Sequence, residues 1–411
     1  MLPIRKDSEY IIRQSIHAVK PDAAVRRALH GKTFGNGKVL LVAVGKAAWQ
    51  MADVAGKELG GKLTQGIVIT KYDHSQGPIP GVTIYEAGHP VPDENSFRAT
   101  SAVLEMTRGL CKDDTVLLLL SGGGSALFEA PLVASALLTD LTQQLLASGA
   151  SIVEMNTIRK RFSGVKGGRF AEHCAPAHVF AIVLSDIISD PLDMIASGPA
   201  YPDSSTAQDA VSLAEKYNLQ LTESMRTLLS KETPKTLNNV ETIVTGSVSE
   251  LCRAAADAAA ERGYCPYILT DSLDCEASEA GSFLGALARY HQNTAQSIAL
   301  IAGGETVVHL QGKGLGGRNQ ELALSAAAGI SGLADTAVFS VGSDGTDGPT
   351  DAAGGYADGQ TMSALKAKGI DIHDMLRNND AYHALEACDG LLFTGPTGTN
   401  VNDVSVLLIK R

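Results

Sequence analysis

Short apolar runs alternate with helical patterns along most of this chain. The runs Val39–Val44, Gly66–Thr70, Thr115–Leu120, His178–Leu184, Thr242–Thr245, Ile298–Ala302, Thr306–Leu310, Ala337–Val341, Leu391–Thr394 and Val404–Ile409 predict strands. Ala47–Leu59, Ser96–Arg108, Ala134–Ala147, Glu250–Arg262 and Asn319–Ala328 between them predict helices. Such alternation implies an α/β fold with parallel sheets covered on both faces. Ile298–Ala302 and Thr306–Leu310 are separated only by Gly303-Gly304-Glu305, which predicts an antiparallel hairpin in a second, mixed sheet. The polar stretch Tyr217–Val240 has no apolar period and contains Pro234, so it reads as a linker, with domains at 1–235 and 236–411.

In parallel α/β folds ligands bind beyond the C-terminal ends of strands, so the residues after each run carry the chemistry. After Thr115–Leu120 come Ser121, Gly122, Gly123, Gly124 and Ser125, then helix-forming residues. Glycines let the backbone turn with positive φ and let a ligand approach, and a helix N-terminus suits an anion. Lys46 follows the first run at the start of a helix, where a cation opposes the helix dipole unless an anion compensates. Arg159, Lys160, Arg161, Lys166 and Arg169 concentrate five cations near the Ser163–Arg169 turn of an acidic chain. This makes Asn156, Lys160, Lys166 and Gly167 further phosphate candidates, although some of the cations must be structural. Asp186 and Asp190 follow His178–Leu184, and Asp344 follows Ala337–Val341; carboxylates there suit Mg²⁺ that keeps phosphate and water ligands.

Other patterns carry less. Gly312, Gly314 and Gly317 match G-x-G-x-x-G, but the motif comes late and after the expected hairpin, so a dinucleotide site is disfavoured; Arg318 beside it suits a phosphate or carboxylate clamp. Gly56–Lys62 ends in Leu63 where a P-loop needs a hydroxyl, and Ser125 lacks the downstream glycine of a nucleophile elbow. His89 reads as a residue of a rigid turn, with substrate contact left open.

Composition narrows the classes. With 411 residues, 44% apolar and 19% charged, the chain suits two soluble domains. Its 34 basic and 45 acidic side chains give a formal charge of −11, so the footprint of a nucleic-acid-binding protein is missing. Six scattered cysteines without a C-x-x-C point to reduced thiols. Neither a signal-peptide core nor a membrane-length apolar segment is visible, which gives a cytoplasmic expectation.

Taken together, the segments resemble the type-2 glycerate kinases, a family with a C-terminal MOFRL domain whose earlier members were labelled hydroxypyruvate reductases. The resemblance rests on Gly45-Lys46-Ala47-Ala48, Gly88–Asp93, Leu120–Ala126, Ser163–Arg169, Ser185-Asp186, Ile195–Pro199, Gly303–Glu305, Gly316–Glu321, Asp344–Asp351 and Gly395–Asp403, and so runs nearly end to end. Ile188-Ser189 departs from it, since the family usually has a glycine before the residue matching Asp190. The resemblance implies a Rossmann-like N-terminal domain, a smaller α/β C-terminal domain with a mixed sheet, and an active site in the cleft between them. It further implies ATP-dependent phosphorylation of D-glycerate at the 2-hydroxyl with Mg²⁺, and active-site roles for Lys46 and Arg318. Asp190 then becomes a candidate proton acceptor, and Asp186 and Asp344 candidate metal ligands. Small-molecule substrates are expected rather than nucleic acid or membrane, and a homo-oligomer is left open. The rivals are an NAD(P)H-dependent hydroxypyruvate reductase and a non-catalytic nucleotide-binding module.

Overall fold

The computed structural model describes residues 3–184 and 192–411. β1 (Val39–Val44), β2 (Leu63–Lys71), β3 (Val82–Ala87), β4 (Thr115–Leu120), β5 (His178–Leu184) and β6 (Val240–Thr245) form a sheet in the order β3-β2-β1-β4-β5-β6. All its pairs are parallel. Every residue of β1 and β4 is buried, which is why these strands are unbroken apolar runs rather than alternating ones. The order is Rossmann-like, with its reversal between β1 and β4. The switch point, where ligands bind in such folds, therefore lies beyond their C-terminal ends, where Val44 pairs with Leu120.

The second sheet joins β7 (Cys265–Leu273), β8 (Ile298–Gly304), β9 (Thr336–Gly342), β10 (Gly354–Asp358), β11 (Leu391–Leu392) and β12 (Asp403–Ile409) in the order β11-β10-β9-β12-β8-β7. β7 and β8 are parallel, and β12 runs antiparallel to both β8 and β9, so the sheet is mixed. Its two faces follow the period of two. Ile301, Phe339, Val404, Val406 and Leu408 pack with helices Pro3–Ala18 and Val248–Glu261. Leu300, Val338, Leu407 and Ile409 face helices Ala277–Tyr290 and Arg318–Ile330. The latter two helices touch through glycines: a Cβ at Gly281 would stand 2.1 Å from the Leu322 carbonyl oxygen. No helix among the described residues is long and apolar enough to cross a membrane.

Three expectations change. Residues 306–310 form no strand, because both edges of β8 are taken by β7 and β12. Only Val307 pairs, in an isolated bridge to Glu276. The stretch expected as a linker belongs to the first sheet's unit, where Glu223–Leu229 is a helix and Val240–Thr245 is β6. The described residues divide instead into one compact unit of 25–184 with 192–245, and another of 3–24 with 246–411. Helix Pro3–Ala18 joins the second unit because Ile4, Ile11, Ile12 and Ile16 enter its core.

Asp7 anchors that helix. Its buried carboxylate accepts from Arg262 Nε (2.8 Å), Tyr264 Oη (3.0 Å) and Lys410 Nζ (2.6 Å). Burial pushes the Asp7 pKa up, but the Lys410, Arg262 and Tyr264 hydrogen bonds outweigh it, so the net shift is downward. A lowered carboxylate stabilises the fold above its ordinary pKa, and this stabilisation is lost as pH falls through the folded value. Asp7→Ala should cost about 1–3 kcal/mol at neutral pH. The Tm gap from wild type should narrow as pH falls below the ordinary aspartate value and through the lowered folded one; thermal melts across pH test this, and a gap independent of pH contradicts it.

Candidate functional site

The turns after β1 and β4 are built into one another. Gly45 has φ 127°, and a Cβ there would lie 2.2 Å from Ser121 Oγ. Lys46 N–H donates to the Gly122 carbonyl (2.9 Å), and Ala47 N–H donates to Ser121 Oγ (3.1 Å). Ser121, expected on phosphate, is a buried joint between the two turns. Gly123 has φ 88°, and a Cβ on it would meet His89 Cδ2 at 3.0 Å and Lys46 Cγ at 3.4 Å. Gly122, Gly123, Lys46 and His89 thus meet at the switch point. The helix expected after the glycines is one turn, Gly124–Leu127, so donors are present there without a long helix dipole.

The Lys46 side chain is exposed and forms no ion pair among the described residues. His89 is half-buried; burial first, then Lys46, Lys71 and His74, hold its pKa below the ordinary histidine value. The imidazole is neutral at pH 7, in surroundings of positive sign. Ser125 extends the site, since its Oγ lies 2.9 Å from Ser197 Oγ, which donates to Asn156 Oδ1 (3.1 Å). Ala196 and Ser197 hold left-handed backbone, φ 51° and 61°, a strained conformation that clusters at functional sites. Residue type gives no signal for that strain, and His89 and Ser197 were not singled out as ligands from the sequence.

Most of the cation-rich run has another purpose. Lys160 is buried between Asp193 (3.4 Å) and Asp203 (3.1 Å), and Lys166 is buried on Glu129. Arg161 donates to the Lys231 and Ser205 carbonyls and to Thr233, and Arg169 to the Lys160 and Ser163 carbonyls. Gly167 and Gly168 spend their N–H groups on the Ser197 and Gly198 carbonyls. Lys160, Lys166 and Gly167, expected on phosphate, instead hold up the segment that carries Ser197. Asp186 and Asp190 lie outside the described residues.

In the second unit, Asp403 opens β12 opposite Gly304 and Gly342, at the C-terminal ends of β8 and β9. Arg318 binds it through Nε (2.5 Å) and Nη2 (3.1 Å), and binds Glu305 through Nη1 (3.0 Å). Asp347 caps helix Arg318–Ile330, accepting from Asn319 N (3.1 Å) and Gln320 N (2.8 Å), because Gly317 at the N-cap has no side chain to do so. Burial pushes Asp347 up to about 6, against those backbone hydrogen bonds. Asp344 is half-buried, with Oδ1 accepting from Thr346 N (2.9 Å). Asn402 donates to Glu305 (2.9 Å), while its buried Oδ1 has no hydrogen-bond partner among the described residues. Acids outnumber Arg318 here, and their hard oxygens with the orphaned Asn402 carbonyl fit Mg²⁺ arriving with phosphate. Among the described residues, no three acidic, histidine or cysteine side chains form a metal-holding group by themselves.

The G-x-G-x-x-G turn serves packing. A Cβ at Gly312 or Gly314 would lie 2.2 or 2.6 Å from the Asn378 carbonyl oxygen, and one at Gly317 2.3 Å from Asp347 Cγ. No strand runs directly into the turn, since β8 ends at Gly304. The space a pyrophosphate would need beside these glycines is filled by protein.

Fold and geometry together define an α/β protein with a glycine-rich turn at the switch point of a Rossmann-like sheet and an acid-rich second sheet. Residues 7–230 match a domain of unknown function (DUF4147), and residues 298–403 match the MOFRL family. The chain is 53% identical to the D-glycerate 2-kinase of Thermotoga maritima, over 99% of this chain and 98% of that protein. It is 38% identical to the glycerate 2-kinase of Pyrococcus horikoshii over the same shares, 99% and 98%. The crystal structure of the Thermotoga maritima glycerate kinase matches with a TM-score of 0.92 at 53% identity, covering 98% of this chain and 99% of that one. A Pyrococcus horikoshii crystal structure matches at 0.94 and 38% identity, covering 100% and 99%. The chain belongs to the glycerate 2-kinase family with a C-terminal MOFRL domain.

Asp347 gives the second unit a pH signature. With a folded value of about 6 and an ordinary one of about 4, the folded state binds the proton more tightly. Stability should fall as pH rises across that interval and level off above it. Asp347→Asn keeps an acceptor for the helix N–H groups and removes the titration. Its Tm should lose that slope in melts between about pH 4 and 7; an unchanged slope contradicts the assignment.

Proposed function

We propose that the protein transfers the γ-phosphoryl group of ATP to the 2-hydroxyl of D-glycerate, giving 2-phosphoglycerate and ADP. The observation that carries this reading is Lys46, exposed and unpaired among the described residues, beside the Gly122–Ser125 turn at the β1/β4 switch point. The family supports the substrate, since the Thermotoga maritima relative is named a D-glycerate 2-kinase.

Phosphoryl transfer needs positioning and charge stabilisation more than covalent help. In the proposed reaction Gly122, Gly123 and Gly124 let the ATP phosphates approach the backbone, and Ser125 adds a hydroxyl backed by Ser197 and Asn156. Lys46 offsets the charge that develops on the transferring group. Arg318, one-third exposed and held in orientation by Asp403 and Glu305, offers an anion a guanidinium on the second unit. Mg²⁺, when bound, would neutralise phosphate charge, with Asp344 and Glu305 as its protein oxygens. The neutral His89 beside Gly123 can take the hydroxyl proton; Asp190 was the sequence's candidate for that task. A cytoplasmic setting is proposed from the six free cysteines.

A coupled assay should detect ADP from D-glycerate and MgATP, and phosphorus NMR should show the 2-phosphate ester. Lys46→Ala should lower kcat/KM by about 10²–10³ with Tm retained. Near-wild-type turnover of that variant would remove Lys46 from the mechanism. NADH consumption with hydroxypyruvate and no ADP from glycerate would overturn the kinase reading, as would tight ATP binding without turnover.

A further inference from the structure

One cation of the first unit, Arg159, makes no side-chain hydrogen bond or ion pair among the described residues. Helix Ile152–Arg159 carries Asn156, which reaches Ser125 through Ser197, and ends one turn later in Arg159. Residues three apart are neighbours on a helix surface, so Arg159 lies next to the site. Its Nε is shut off from solvent with no hydrogen-bond partner, and the side chain forms no ion pair among the described residues. The other four cations of the run, Lys160, Arg161, Lys166 and Arg169, are all paired or hydrogen-bonded within the protein.

The surroundings sharpen the imbalance. Glu129 lies four residues beyond Ser125 and pairs with Lys166 through Oε2, while its buried Oε1 has no hydrogen-bond partner among the described residues. Burial pushes the Arg159 pKa down and the Glu129 charge acts against that; burial and then Glu129 also lead the causes acting on Lys166, which Arg159 disfavours as a cation. Two cations thus share one carboxylate in a poorly solvated place. Burying an unpaired charge costs several kcal/mol, so the arrangement is stable to function when an anion arrives. A guanidinium fork matches a carboxylate, and the free Glu129 oxygen matches a hydroxyl donor. One molecule offering both groups would satisfy both orphaned atoms and bring the cluster to neutrality.

We propose that Arg159 and Glu129 form the recognition site for the hydroxy-acid substrate, Arg159 binding its carboxylate and Glu129 Oε1 accepting a hydroxyl. This rests on the glycerate reading above and assigns the acid half of that site. It also places recognition of the acid on the same unit as the phosphate turn.

The test is steady-state kinetics and ligand-free melting of wild type, Arg159→Gln and Arg159→Lys. Arg159→Gln should raise KM for D-glycerate about 10- to 100-fold, the equivalent of a lost charge-assisted pair. KM for ATP should stay near the wild-type value, and Tm should hold or rise because an uncompensated charge is removed. Arg159→Lys should recover part of the lost affinity. An unchanged KM for glycerate, or equal rises in both KM values with a lowered Tm, would overturn the proposal. If the wild type makes no ADP from D-glycerate, the kinase reading falls on its own. Calorimetric titration with D-glycerate then decides this site: binding by wild type that is lost in Arg159→Gln supports it, and no binding by wild type overturns it.

Discussion

The site depends on how closely two backbone turns approach at the centre of the first sheet. Gly45 faces Ser121 with room for no side chain, since a Cβ would sit 2.2 Å from the hydroxyl oxygen. That contact follows from parallel pairing of β1 with β4 in register to their last residues, Val44 and Leu120. Because both strands are wholly buried, neither can shift without exposing apolar surface. The turns are therefore fixed by the core, and Lys46, His89 and Gly123 inherit that rigidity. Charge placed on such a support needs little reorganisation when a phosphate arrives.

Around this centre, the protein spends charged groups in two ways. Lys160, Arg161, Lys166 and Arg169 are scaffold, tied to acids and carbonyls that shape residues 193–205. Lys46 and Arg159 are left without partners among the described residues. The second unit has the opposite sign, with Glu305, Asp344, Asp347 and Asp403 around a single arginine.

The sequence was most informative where one physical signal had one cause. Buried parallel strands read as unbroken apolar runs, so β1, β4 and β5 were legible to the residue. β3 and β7 are edge strands with mixed exposure, and β10 begins with two glycines, so their periodicity is weak. Thr306–Leu310 looked like a strand because its composition suits one, but β7 and β12 take both edges of the β8 strand it would have paired with. Lysines in a turn read alike whether they meet phosphate or a buried aspartate, and only Asp193, Asp203 and Glu129 distinguish the cases. Glycines are similarly ambiguous: Gly123 leaves room beside Lys46, whereas Gly312 and Gly314 make room for Asn378.

The central claim is that the turn at Gly123 holds the nucleotide phosphates beside Lys46. Titration calorimetry with ATP on Gly123→Ala tests it most directly, alongside thermal melting. An alanine forced into left-handed backbone should cost only about 1–2 kcal/mol of stability. Its Cβ would press on His89 and Lys46 and fill the approach to the backbone. The expected result is a folded variant with ATP affinity reduced at least about tenfold, or about 1.4 kcal/mol. A folded Gly123→Ala protein that binds ATP as tightly as wild type would contradict it.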